Sequence, residues 1–536
     1  MINNDWQMKI TELTKEQINH ARNVYKDKET SWDERMTELM VLFGVSERTV
    51  RKWCVELGFK EKEDVEPKQY TEAKKRKLDK TKKRFIITWG QNNTEVHDGF
   101  YQNIEAYAKY INADIHIILG RYKNPTNVGE ATSRESDTFW VPEIEKYADA
   151  NRHNVHKYLS IVSDVKIQPT ATNPMSGLQG MSGINSCIFG SPKVQLEMIP
   201  VLDSKMPKMM LTTGSVTKNN YSDSKSGKKG EFHHVYGFVV VEIKDNEKFF
   251  VRQVTADDKT GDFTDLCHKV SKGKVQKNDK ISAIVLGDLH YGHHDDVVVN
   301  QTVKMLDKLK PQHVVLHDVF DGSSINHHEM KNPFMQYAKE VHGTNSLKKE
   351  VNNMLDGLKV FEKFPKVVIV RSNHDDFVDR WLMNEDWKKQ PTSKNSPEYM
   401  RYSGMLLEQY AANPHDVKGV IPALINERYP KFITLTRTGT YKVNKWELGQ
   451  HGDVGSNGSR GSLMQFRRLN TKVIVGHYHS PGRKDGAISV GTSTKLRVGY
   501  NNSGSSTWLQ SHVIIHEDGK AQHINFIGGE YTTFKL

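Results

Sequence analysis

The stretch ISAIVLGDLH at residues 281–290 sets the reading of this chain. An apolar run closes on Gly287, and Asp288 and His290 follow two positions apart. A short apolar run bounded by glycine reads as a buried strand. Alternate residues of an extended chain face the same way, so Asp288 and His290 can reach one ion. Similar segments recur four times: HDVFD (317–321) after HVVL, SNHD (372–375) after KVVIVR, HGD (451–453) after the shorter WELGQ, and GHYH (476–479) after KVIV. Asp, His and Asn are mixed oxygen and nitrogen ligands for divalent metals. Strand ends of an open α/β sheet converge on one crevice, so the segments are expected to build one site.

Ligand counting refines that expectation. Asp318 follows the second apolar run and should lie on the neighbouring strand, where its two oxygens could bridge two cations. Asn373 offers an amide oxygen and His451 an imidazole. His477 and His479 could serve one ion, or one each of a close pair. Together with Asp288 and His290 these exceed the about four ligands of a single zinc-type site, so two divalent ions are expected. Each motif alone is also what a strand cap or a satisfied core histidine looks like. Their ordered recurrence at strand ends gives the reading its weight.

This order resembles the calcineurin-like metallophosphoesterase superfamily, whose pattern runs DxH, GDxxD, GNH[DE], a lone His and GHxH. The likeness covers about Ile281 to the C-terminus, with His317 and Ser372 standing where the family has glycine. It implies an α/β catalytic domain, a β-sandwich flanked by helices. One metal would be held by Asp288, His290, Asp318 and His479, the other by Asp318, Asn373, His451 and His477. His374 matches the family's catalytic histidine, and Asp321 the second carboxylate of GDxxD, a support for the shell. Candidate phosphate contacts are Arg460, Arg467, Arg468, Arg483 and Lys484 near the last motifs, and Arg371 and Arg380 beside SNHD. His327 and His328 follow the bridging Asp and could sit at the substrate mouth, or simply pack within their loop.

Upstream, residues 1–58 read as a small all-α unit. Met36, Leu39, Met40 and Phe43 form one helical stripe, and Val50, Trp53 and Leu57 a second, about the turn Gly44-Val45-Ser46 with Ser46 as N-cap. The pair resembles a helix-turn-helix and would offer Glu47, Arg48, Arg51 and Lys52 to DNA. A helical hairpin for protein contact is the plainer alternative. Residues 59–84 are a charged linker; Lys74, Lys75, Arg76, Lys77, Lys80, Lys82, Lys83 and Arg84 face only Asp79 there, which fits a solvated tether or a phosphate contact.

Residues 85–275 read as an α+β middle domain and 276–536 as the catalytic domain. FIITW (85–89), the amphipathic stretch 98–111 and DIHIILG (114–120) read as strand, helix, strand; YGFVVVEI (236–243) and KFFVRQV (248–254) as a hairpin. The Gly- and Ser-rich stretches 172–183 and 219–234 read as loops. Lys225, Lys228 and Lys229 could touch phosphate. His233 and His234 lack a spaced carboxylate partner nearby, which argues against a metal role.

The whole chain has 536 residues and a net charge of +11, with a pI near 9.1 and a mean hydropathy of −0.65. A basic balance favours a polyanionic partner. No apolar run reaches the ~18 residues of a membrane span. The start lacks a signal-peptide pattern, and Cys54, Cys187 and Cys267 show no paired spacing, so a cytoplasmic protein without disulfides is expected.

A second resemblance narrows the substrate. PTATNPMSG (169–177), TTGSVTKNNYSDSKSGKKGEFHH (212–234), HDVFDGSSINHHE (317–329) and SNHDDFVDRWL (372–382) look like a tailed-phage family. That family is similar to the pre-early proteins by which T-odd coliphages degrade host DNA. It implies a Mn-dependent DNA nuclease at work in the host cytoplasm; the ligand set itself suits Fe or Zn as well, and Mg remains open. A middle domain without chemistry of its own would suit a homo-oligomer. Two other functions fit the residues: a phosphatase or phosphodiesterase on nucleotide or protein substrates, and a DNA-binding or assembly protein with a structural metal site.

Overall fold

Four short β-branched runs become four parallel strands in the computed structural model: Ile281–Val285, His313–Leu316, Val367–Ile369 and Ile433–Thr434. The structure describes residues 10–27, 29–59, 76, 78–79, 81–122, 140–202, 206–278, 280–389 and 394–534, without the side chains of Glu12, Arg48 and Tyr500. Two antiparallel strands, Ser511–His516 and Ala521–Asn525, complete a six-stranded sheet beside Ile281–Val285. The first three parallel strands are apolar and almost wholly buried, as expected where both faces are covered. Ile284, Leu286, Val314 and Leu316 pack under the helices Asp296–Leu309, Leu347–Leu358 and Val420–Arg428 through Met305, Met354 and Ile421. Ala283, Val285, Val315 and Val368 face the other way, onto Trp446, Ile474, Ile488 and Val490 of a second sheet.

That second sheet has ten strands and joins the two halves of the chain. Its C-terminal half holds Lys442–Val443, Trp446–Glu447, Lys472–Val475, Ala487–Ser489 and Gly482–Lys484; Arg483 then pairs with Leu196, and five middle-segment strands continue the sheet. Residues 70–536 are thus one compact unit, and the middle and C-terminal segments share a sheet across the 275/276 boundary.

The middle segment adds a five-stranded sheet. Arg84–Gln91, helix Asp98–Ile111 and Asp114–Gly120 form a strand–helix–strand unit, and Gly237–Ile243 with Phe249–Thr255 form a hairpin. The fifth strand is Ala148–Asp149. One stretch differs from its sequence reading. Lys225–Phe232, expected as loop, is a helix whose N-cap Ser224 accepts from Gly227 N. Its glycines serve packing: a Cβ on Gly227 would lie 1.8 Å from the Ser222 carbonyl oxygen. Arg76, expected in a tether, instead pairs with Asp114 and donates to the carbonyls of Ile115 and Tyr147. Lys74, Lys75, Lys77 and Lys80 lie outside the described residues.

The N-terminal unit, within 1–69, packs helices Lys15–Lys26, Trp32–Phe43 and Glu47–Glu56 around Ala21, Leu39, Phe43, Val50 and Trp53. Thr14 with Gln17 and Ser31 with Glu34 form capping boxes. Gly44 ends the second helix at φ 63°, which glycine adopts without strain. Ser46 precedes the third helix but makes no capping bond; its Oγ lies 3.1 Å from Thr49 Oγ1. Among the described residues no helix is long and apolar enough to cross a membrane, and Cys54, Cys187 and Cys267 are buried and form no disulfide.

Candidate metal centre

The strand-end segments meet. Asp288, His290, Asp318 and His479 are all buried, and one ligand atom from each lies within 4.8 Å of the others. Asp318, His451 and His477 form a second such group, so Asp318 belongs to both. Its Oδ2 lies 3.4 Å from His290 Nε2 and 3.1 Å from His451 Nε2. Asp288 Oδ2 is 3.1 Å from His479 Nε2 and accepts from His477 N at 2.7 Å.

Backbone strain marks the same residues. His290, Asp318, His477 and His479 all have φ between 41° and 73°. Non-glycine residues seldom adopt this region, and when they do they cluster at functional sites. Glycines at the strand ends permit the close approach. A Cβ on Gly287 would stand 2.7 Å from the Ser511 carbonyl oxygen, and one on Gly476 would stand 2.4 Å from Asp288 Oδ1.

Several polar atoms at the centre are buried and have no hydrogen-bond partner: Asp288 Oδ1, Asp318 Oδ1 and Asn373 Oδ1 among them. Such atoms are costly unless something binds them. Two carboxylates, an amide oxygen and four imidazoles in this arrangement fit divalent cations. His290 Nε2 and His479 Nε2 are only 3.0 Å apart, a spacing that a shared ion would satisfy. Burial disfavours charge on Asp318, yet His451 and its neighbours hold its carboxyl well below the ordinary range. Burial likewise opposes a charged His451, but Asp318 outweighs it and its pKa rises to about 9.

Around the ligands stands a supporting layer. Asp321 Oδ1 is 3.1 Å from His290 Nδ1, which aims the other ring nitrogen at the centre. His374 donates from Nδ1 to the Asp321 carbonyl at 2.5 Å, since a carbonyl can only accept, and its ring stacks on Phe377. Burial lowers the His374 pKa. His317, in the place of a glycine, packs with Nδ1 3.3 Å from His451 Nδ1. Ser372, the other departure, caps the helix Asp375–Asn384 by exchanging hydrogen bonds with Asp375.

The expected phosphate contacts divide. His327 is exposed and packs edge-on against Phe377, whose ring also contacts His374; the His328 ring lies tilted against His327 with centroids 3.9 Å apart. Arg460 is exposed beside the HGD loop. Arg371 is 7% exposed and bound to Asp376 and Asp379, so its charge is already matched. Arg483 donates to the Ala521 carbonyl, toward the sheet end away from the centre. On the N-terminal unit Arg51 pairs with Glu47 at 2.6 Å and Lys52 with Glu56 at 3.5 Å, both exposed, and the side chain of Arg48 lies outside the described residues.

Sequence reasoning missed three features. Trp508 packs on His479 with ring centroids 4.1 Å apart. Glu350 accepts from Ser323 N and Ser324 N and so holds the loop after Asp321. Asp485 gathers Lys193 at 3.4 Å, His233 at 3.6 Å and Arg467 at 3.6 Å, which gives His233 a carboxylate partner from far along the chain. None of the three has a local sequence motif, because the partners come from distant parts of the chain.

Fold and site define an α/β protein with buried Asp/His clusters that could bind a metal ion. No family model and no solved structure matches the chain. It is 30% identical over 476 residues to Protein A1 of Escherichia phage T5, covering 84% of this chain and 83% of that protein. The chain belongs to the family of that phage protein.

Proposed function

We propose that the protein is a metal-dependent DNA nuclease that hydrolyses phosphodiester bonds, encoded by a phage and directed at host DNA. The observation that carries the reading is Asp318, shared by two groups of metal-type ligands, with His374 beside them in a third group with His290 and Asp321. Two divalent ions, Mn2+ by resemblance, would supply Lewis acidity toward water and phosphate oxygens. Asp288, His290, Asp318 and His479 would hold one, and Asp318, Asn373, His451 and His477 the other.

The protein's own groups do the rest. Asp321 fixes His290 through one ring nitrogen and His374 through its carbonyl. With Nδ1–H committed to that carbonyl, Nε2 of His374 is the position from which a proton can be given to a leaving alkoxide. Burial keeps this imidazole neutral in the free protein, and the negative charge of an arriving phosphodiester favours its protonated form. The DNA reading rests on the basic balance of the chain and on its phage family. The exposed Arg51 and Lys52 would add contacts from the N-terminal unit.

The test sets circular plasmid and end-labelled linear DNA beside nitrophenyl phosphate mono- and diesters, with Mn2+. DNA and diester cleavage are expected, falling about 10²–10⁴-fold in His374→Ala, the usual worth of a general acid. Monoester cleavage without DNA cleavage would select the phosphatase alternative. Full DNA processing by His374→Ala and Asp288→Ala would select a structural metal.

A further inference from the structure

The middle segment holds another group of metal-type side chains, sharing no residue with the centre above. His116 lies on strand Asp114–Gly120. Its neighbours Ile115 and Ile117 face the helix side, so His116 and Ile118 face the core between the sheets. Ile118 pairs with Asp149 on the adjacent strand, and the turn at Asn151 brings His153 back onto Asp149. One ligand atom from each of His116, Asp149 and His153 lies within 4.8 Å of the others.

The three side chains are set as ligands are. His116 is fully buried, and its Nε2 is 2.9 Å from Ser163 Oγ, while its Nδ1 is buried with no hydrogen-bond partner. If Nε2–H donates to Ser163, Nδ1 presents a lone pair; an outer partner fixing the tautomer is the usual support of a ligating histidine. Burial drives the His116 pKa down to about 3, which keeps the ring neutral. Asp149 Oδ1 is held by Asn151 N at 2.8 Å and Nδ2 at 2.7 Å, and Oδ2 meets His153 Nε2 at 2.5 Å. The cation acting on His116, Arg76, is matched by Asp114. A cleft of about 910 Å³, lined by Arg76, Asn151, Arg152 and His153 among others, reaches the group at His153.

We propose that His116, Asp149 and His153 bind a divalent transition-metal ion of the zinc class, with water from the cleft completing its coordination. Two imidazoles and a carboxylate with one open position are a common zinc set. The rival account is a plain Asp149–His153 hydrogen bond beside a buried imidazole, which binds no ion.

The experiment compares metal content in two full-length proteins. Both carry Asp288→Asn and Asp318→Asn to disable the main centre, and one also carries His153→Ala. After equilibration with Zn2+ and removal of loose ion, the second is expected to hold one equivalent less by mass spectrometry. Loaded with Co2+, the first should show the visible absorption of a low-coordinate ion and the second should not. His153 is half-exposed, and His153→Gln, with its circular dichroism, serves as the folded control should alanine perturb the fold. Equal metal content in folded proteins with and without the His153 change overturns the proposal.

Discussion

Asp318 and Asp321 stand three residues apart and do different work. Asp318 is the carboxylate common to both groups of candidate ligands, so under the two-ion proposal its loss should cost both ions. Calorimetric titration with Mn2+ should find no tight site in Asp318→Ala, whereas Asp288→Ala should keep the site of His451 and His477. Equal behaviour of the two variants would remove the bridging role. Asp321 touches His290 from behind, so Asp321→Asn should keep both ions but weaken affinity about 10–100-fold, as outer partners do. The candidate ligands are legible in the sequence because Asp288 and His290, and His477 and His479, sit two apart at a strand end, and that spacing fixes direction. Arg371 and Arg483 misled for the opposite reason: proximity in sequence says nothing about which carboxylate or carbonyl a long side chain finds.

At the scale of elements, the centre depends on how closely strands approach behind it. Gly287 links strand Ile281–Val285 to Asp288, and a Cβ there would meet three backbone atoms, Ser511 O at 2.7 Å and the carbonyl carbons of Gly491 and Thr492 at 2.8 Å. Backbone cannot swing aside as a side-chain tip can. Gly287→Ala should therefore cost about 1–3 kcal/mol in urea unfolding, the range for overpacking, and loosen metal binding by displacing Asp288. Gly486→Ala, whose Cβ would come no closer than 3.6 Å to Lys472, should leave both unchanged. Apolar runs and helical stripes made the strands before the candidate ligands and the helices Trp32–Phe43 and Glu47–Glu56 readable, whereas the polar helix Lys15–Lys26 was not. The helix Lys225–Phe232 was not, because glycines needed for packing look in sequence like glycines needed for flexibility. Nor was the ten-stranded sheet, whose two halves meet through Arg483 and Leu196.

At the scale of the whole molecule, a buried ion network fastens the middle segment to the C-terminal part of the chain. Arg252 is 2% exposed and binds Glu242 and Asp265. Gln522, on the outer strand of the six-stranded sheet, donates to Asp265 at 2.8 Å, and Thr533 N in the C-terminal tail donates to Glu242 at 2.6 Å. Tyr107 donates to Asp265 at 2.7 Å from the helix of the middle segment. Burial alone would raise both carboxyl pKa values; Arg252 reverses this and holds both below the ordinary range. A carboxylate depressed in the folded state contributes stability above its unfolded pKa, about 4, and loses it as pH falls through the folded value. Without the guanidinium, burial acts unopposed, the folded values rise above 4, and stability then falls as pH rises toward neutrality. Arg252→Met should thus cost about 3–5 kcal/mol near neutral pH, the cost of breaking a buried pair. In urea unfolding the deficit should shrink at about pH 5, where carboxyls with raised pKa are protonated in the folded protein. The loss should also appear in one transition spanning residues 70–536, because the network crosses from the middle strands to the C-terminal ones. A deficit equal at both pH values would show that Arg252 acts through packing alone. A separate early transition of the middle segment would show that the network does not couple the two.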